Sequence, residues 1–242
     1  MEFQNNFSIF NLFLDKKVTI YTDDMKFDVQ VPTIKDLMKN NTVGTTYSLI
    51  TSSAKKIQQL IPIKVENSFE LIHNIFFVFG MYKEFNIIFK QLVEGIKFFI
   101  PNINIDFKNK ELKIDNTTIT LEIWNYIIYI LKLSCGEKIS EPRIFSSEEE
   151  RLFYLAQEEM EEKINRIKSS SNKKDSNESL LKTFLTIRYK FGFSFEYLFE
   201  QTLAQIQWLQ KYAAGAVSYE VNAQAFAAGN MKKGKSLDFF IK

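Results

Sequence analysis

The stretch Tyr189-Lys190-Phe191-Gly192-Phe193-Ser194-Phe195-Glu196-Tyr197-Leu198-Phe199 packs more rings into eleven positions than a short helix can hide by itself. Each large side chain fully buried contributes roughly 1.5 to 3 kcal/mol, so such a segment must dock on the rest of the chain or on a second polypeptide. Its neighbours do not offer that cover. Before it come a charged segment opened by Ser146-Ser147-Glu148-Glu149-Glu150 and a polar break from Ser169 to Glu178. The helical pattern after it runs through Trp208, Leu209 and Tyr212.

The chain can supply a body for docking. Its 242 residues, 45% of them hydrophobic, are enough for a sizeable core in one large or two modest domains. Lys17 to Tyr21 and Lys26 to Val31 both alternate about Thr22-Asp23-Asp24, which predicts a β-hairpin ended by Pro32. Thr33 is placed to cap a short helix through Met38, and a second helix is expected from Tyr47 to Leu60. From Ser68 to Phe99 the apolar period is helical, with Gly80 dividing two antiparallel helices. The period then falls to two at Ile103, Ile105 and Phe107, at Leu112 and Ile114, and at Ile119 and Leu121, predicting a small antiparallel meander. A buried helix from Glu122 to Leu133 follows, apolar on most sides.

The expected fold is therefore α+β and mainly helical, with a mixed body over residues 1–138 and a helical region over residues 144–242. In the second region, Ser146 and Glu149 have the spacing of a capping box, and the polar stretch near residues 169–178 is expected to be a flexible loop. Helix is expected from Leu180 to Phe191, then a break at Gly192 and a restart after Ser194. Ala213 to Ala216 should separate this from a short helix over Tyr219 to Ala228.

Charge and cysteine usage narrow the function classes. With 31 basic against 29 acidic residues, the net charge of +2 gives no field that would draw the chain to nucleic acid. One cysteine, Cys135, allows no intrachain disulfide or cysteine-based zinc cluster and fits a reducing cytoplasm. The N-terminus lacks a basic and apolar leader, and no apolar run reaches the roughly 18 residues of a spanning helix. The expectation is a soluble protein with no membrane partner.

The apparent chemical motifs fail on context. Gly229 to Ser236 matches P-loop spacing, yet it follows an Ala-rich helix and only six residues remain after it, too few for the helix that completes a phosphate site. His73, the single histidine, lies on an apolar helical face between Leu71 and Ile75 and reads as structural. Cys135 reads as a small buried hydrophobe. The acidic run from Glu148 and the cluster of Glu158, Glu159, Glu161 and Glu162 lack calcium-loop spacing and read as a solvated face. The expectation is no enzyme, with no catalytic residue, cofactor or metal. The candidate residues are instead partner-binding rings: Phe195, Tyr197, Phe199, Trp208 and Tyr212, and in the basic-aromatic tail Phe239 and Phe240.

Several segments in order resemble one known family. They are Pro32-Thr33-Ile34-Lys35-Asp36-Leu37, the passage from Leu112 through Trp124, the charged helix with its Lys/Ser/Asn-rich break, and Phe193-Ser194-Phe195-Glu196-Tyr197-Leu198 followed by Gln201 to Leu209. Together they resemble the tail assembly chaperones of bacteriophages infecting low-GC Gram-positive bacteria. The resemblance implies a non-enzymatic protein of the host cytoplasm that binds a tape-measure or tail-tube subunit and shields its apolar helical surface. Related phage proteins are assembly factors or structural components of the baseplate and tail, so retention in the virion is the alternative. Self-association stays open under both readings. The terminus from Lys232 to Lys242 has no counterpart in the resemblance.

Overall fold

A computed structural model describes residues 3–23, 25–53, 64–79, 86–137, 139 and 176–227. The expected helix opened by Ser146, most of the 169–178 loop, Gly80, the P-loop-like stretch and the ring pair Phe239 and Phe240 lie outside them.

The fold is α+β, largely helical, with two small antiparallel sheets. In the first, β2 (Lys17–Tyr21) and β3 (Lys26–Gln30) form the expected hairpin. Val18 faces Val29 and Ile20 faces Phe27, all four buried, as a period of two requires when one side meets the core. The other side carries polar residues: Lys17 donates to Asp28 at 2.8 Å and Thr19 donates to the same carboxylate at 2.7 Å. Both bonds hold the Asp28 carboxyl below its usual pKa. A third strand, β1 (Gln4–Asn5), pairs with β2; two residues carry too little alternation to be foreseen.

After the short helix α1 (Ile9–Leu14) and the hairpin, Thr33 caps α2 (Ile34–Lys39) in a reciprocal box with Asp36. Helix α3 (Asn41–Thr51) starts six residues before the expected Tyr47, because the Asn40 side chain caps it by accepting from the N–H of Val43 at 3.2 Å. Helix α4 (Ser68–Asn74) runs on as a π-helical turn over Ile75–Phe79, and α5 (Asn86–Phe99) follows. Helices α3 and α5 approach so closely at Gly95 that a Cβ there would stand 2.0 Å from Thr46 Oγ1.

The second sheet is the meander, with β4 (Ile103–Asp106), β5 (Glu111–Ile114) and β6 (Thr117–Thr118). Its last strand lies just before the expected Ile119 to Leu121, since Thr120 already serves as the cap of α6 (Leu121–Ser134). Helix α6 is the centre of the core: Ile123, Trp124, Tyr126, Ile127, Ile130 and Leu131 are all buried. The Trp124 indole donates to Ser68 Oγ at 3.1 Å, tying α6 to the start of α4.

Among the described residues three further helices follow: α7 (Ser176–Phe191), α8 (Phe195–Phe199) and α9 (Leu203–Ala227). Gly192 breaks the pattern as expected, at φ 74°, and Ser194 caps α8. Residues 176–178, expected in the flexible loop, belong to α7. The separation expected at Ala213 to Ala216 is absent, because alanine is the best helix former and one glycine costs only about 1 kcal/mol.

Packing groups the chain into two compact units, residues 1–141 with 194–212 and residues 142–193 with 213–242. A linear division near residues 138 to 144 was the expectation from sequence; the observed grouping instead places 194–212 with the N-terminal body. In the second unit, an ion pair of Lys190 with Glu220 joins α7 to the later part of α9, and the rings of Phe191 and Phe193 lie 5.6 Å apart.

Candidate functional site: an aromatic element docked on the N-terminal body

The segment 194–212 is held by backbone as well as side chains. The N–H of Ile34, in the first turn of α2 where no intrahelical acceptor exists, donates to the carbonyl of Gln201 at 2.9 Å. One residue on, Lys35 donates to Glu200 Oε1 at 2.5 Å, with Lys16 at 3.9 Å from the other oxygen. The Lys35 bond pulls the Glu200 carboxyl below its ordinary range and raises the Lys35 ammonium above its own. These charges stand near solvent, so they fix register more than they add stability.

Thr202 and Gln205 then start α9 with a reciprocal pair of bonds. The N–H of Thr202 donates to Gln205 Oε1 at 2.6 Å, and the N–H of Gln205 donates to Thr202 Oγ1 at 3.3 Å. Both residues are buried. Gly136, at φ 78°, lets the end of α6 approach this helix, since a Cβ there would meet the Gln207 side chain at 2.3 Å.

Helix periodicity then sorts α9 by face. Ala204, Ile206, Leu209 and Ala213 are buried, and so is Leu198 on α8, whereas Trp208 and Tyr212 keep 36% of their surface exposed. The two rings stack 5.2 Å apart with planes at 23°, and Phe13 of α1 meets Trp208 edge-on at 6.1 Å. Tyr197 is 41% exposed, and Phe195 and Phe199 are half-buried. The structure thus brings Trp208 and Tyr212 into one stack, on the same docked element as Phe195, Tyr197 and Phe199. Glu200, Gln201 and Gln205, which fasten that element, were not among the candidate residues from sequence; Gln201 and Gln205 entered only within the resembling segment Gln201 to Leu209. The Thr-x-x-Gln spacing of 202 to 205 could have pointed to Gln205; Glu200 and the Gln201 carbonyl left no local signal.

The residues considered for chemistry are engaged elsewhere. His73 Nε2 lies 3.0 Å from the Lys110 carbonyl oxygen, and its ring meets Phe77 edge-on at 4.7 Å. Cys135 is buried beside Tyr47, and burial pushes its thiol up to about 11, far from nucleophilic range. The Tyr47 hydroxyl reaches Glu137 at 3.4 Å, and its burial pushes the phenol upward as well. Among the described residues, no group of three His, Cys, Asp or Glu side chains could hold a metal ion, and no helix is long and apolar enough to cross a membrane. No protein-family model matches the chain, and comparisons with curated proteins and with solved structures return no match.

Proposed function

We propose that this protein is a non-enzymatic phage tail assembly chaperone, which binds apolar helical surface of a tape-measure or tail-tube subunit and covers it until polymerisation replaces the contact. The observation that carries the reading is the division of α9 between two tasks. Ile206, Leu209 and Ala213 turn inward, while the Trp208–Tyr212 stack stays open to solvent on a helix already pinned to the body. Partly exposed Trp and Tyr on a rigid support are the residues that most often anchor a partner, because they give large contact area for little entropy loss. The sequence resemblance supplies the identity of the partner.

The test uses the two tryptophans. Trp124 is 1% exposed and gives a constant background, whereas Trp208 is open. Addition of a tape-measure segment or tube subunit should shift the emission of Trp208 to the blue, and the shift should vanish in Trp208→Phe. The chain should also be absent from purified particles by mass spectrometry. Emission that stays unchanged, together with failure to keep the tail protein soluble on co-expression, would refute the reading. Presence in the particle would favour the permanent baseplate or tail component.

A further inference from the structure

Strand β3 ends the first sheet with an open edge. In the order β1, β2, β3 it lies outermost, paired to β2 without a bulge from Lys26 to Gln30. Two bonds set the phase of that ladder: the N–H of Thr22 donates to the Met25 carbonyl at 2.9 Å, and the N–H of Val31 donates to the Lys16 carbonyl at 2.9 Å. Bonded and non-bonded pairs alternate in an antiparallel ladder, so Phe27 and Val29 turn their backbone groups toward β2, whereas Lys26, Asp28 and Gln30 turn theirs outward. Among the described residues nothing hydrogen-bonds to those outward groups. Charged side chains are the usual guard of such an edge, yet both charges of β3 lean the other way. The Asp28 carboxylate takes its bonds from Lys17 and Thr19 on β2, and the Lys26 ammonium lies 5.4 Å from the centre of the Tyr21 ring, also on β2.

We infer that this edge takes up an extended segment of another polypeptide, which adds to the sheet as a strand beside β3. The groups on offer decide the partner's chemistry. Outward N–H and C=O groups recur at every second residue, about 6.8 Å apart, and only an extended backbone returns C=O and N–H at that spacing. The two faces of the sheet add a pattern. Phe27 and Val29 are buried on one side, and Lys26, Asp28 and Gln30 stand on the other, so the visitor alternates apolar with polar residues and holds no proline over about five positions. A second copy fits poorly. Antiparallel pairing of β3 with itself about Asp28 sets two aspartates directly opposite each other, where like charges destabilise. A shift by two residues parts them but pairs one end of the strand with its turn or with Pro32, which has no N–H.

The inference does not rest on the chaperone reading, and its test reads the backbone of β3 alone. Amide exchange is followed by NMR in the full chain, free and with a seven-residue peptide of alternating valine and threonine. In the free chain the amides of Phe27 and Val29 should exchange slowly and those of Lys26, Asp28 and Gln30 fast; excess peptide should slow the outer amides by about tenfold or more. The same peptide N-methylated throughout keeps its side chains but cannot donate, and should leave them fast. Gln30→Pro removes an N–H that has no acceptor among the described residues, so the thermal midpoint should hold while peptide binding weakens about tenfold. Outer amides that stay fast with peptide in millimolar excess, equal protection by the methylated peptide, or an affinity untouched by Gln30→Pro would each overturn the inference. So would outer amides already slow without peptide: slow at every concentration if a segment of this chain covers the edge, slow only in concentrated solution if a second copy does. If the peptide fails while a tail protein still shifts Trp208, only this inference falls.

Discussion

Substitution of Leu198 by alanine tests whether residues 194–212 are part of the N-terminal core or an appendage to it. Leu198 is 0% exposed and sits on α8, which packs on α2. Trimming its isobutyl side chain to a methyl removes three carbons, roughly 2 kcal/mol of transfer energy, and a cavity term brings the expected loss to about 3 kcal/mol within a range of 2 to 5. Against a domain stability of roughly 5 to 15 kcal/mol, that is a large share. The substitution is made in a Trp208→Phe background, so that Trp124 alone reports. Trp124 lies in α6, more than seventy residues from position 198 in sequence, with 1% of its surface exposed. If the segment belongs to the same cooperative unit, the urea midpoint of Trp124 fluorescence should fall by roughly 1 to 3 M, given a slope of about 1 to 3 kcal/mol per molar. The far-UV transition of this unit should move with it. A Trp124 midpoint that holds while helix signal is lost early would refute the grouping of 194–212 with the body.

Three further outcomes follow from the geometry. Gly95→Ala drives a methyl into Thr46 at 2.0 Å, so an overpacking cost of about 1 to 3 kcal/mol should exceed the roughly 1 kcal/mol gained in helix propensity. Thr46→Gly should remove that added penalty in a double-mutant cycle measured by urea unfolding. Thr202→Val deletes the hydroxyl that accepts from the N–H of Gln205, with an expected loss of about 1 kcal/mol; no change in thermal midpoint would deny the cap a role. Cys135, with its thiol raised to about 11 against an unfolded value near 8.5, should react slowly with a disulfide reagent at pH 8 and quickly in urea. Because the folded state keeps the thiol protonated, its contribution is intact below about pH 8.5 and declines toward pH 11; Cys135→Ser should flatten that decline in stability curves measured against pH.

Local signals were legible wherever one residue decides the backbone. Thr33, Ser194, Gly192 and the alternation of Val18, Ile20, Phe27 and Val29 each act within a few positions, and each element formed where they point. The start of α3 was missed because Asn40 ends one helix and caps the next, and two adjacent tasks leave no separate mark in the sequence. Helix α9 runs through Ala213 to Ala216, where a separation was expected, because one glycine in an alanine-rich run does not outweigh the bonds on either side. The rings of the candidate site could be named from composition. Their facing could not, because it depends on how Gln201 meets the first turn of α2, a contact spanning more than 160 residues. Nonlocal register of that kind is invisible to periodicity.

The way the aromatic element is fastened bears on what its surface can do. If Trp208 and Tyr212 sat on a loose segment, a partner would have to order the backbone before gaining from the rings, at about 1 to 2 kcal/mol for each residue fixed. Here the Ile34–Gln201 bond, the Thr202–Gln205 pair and the burial of Ile206 and Leu209 have already fixed it during folding. Contact with the stack therefore begins from a preorganised surface, and its strength is set by the partner's own ordering and by the part of each ring still exposed. That part is 36% for both Trp208 and Tyr212, so the gain on covering them is a fraction of the full value for a buried ring. Under the proposed function, so small an uncovered ring area suits reversible contact better than permanent closure.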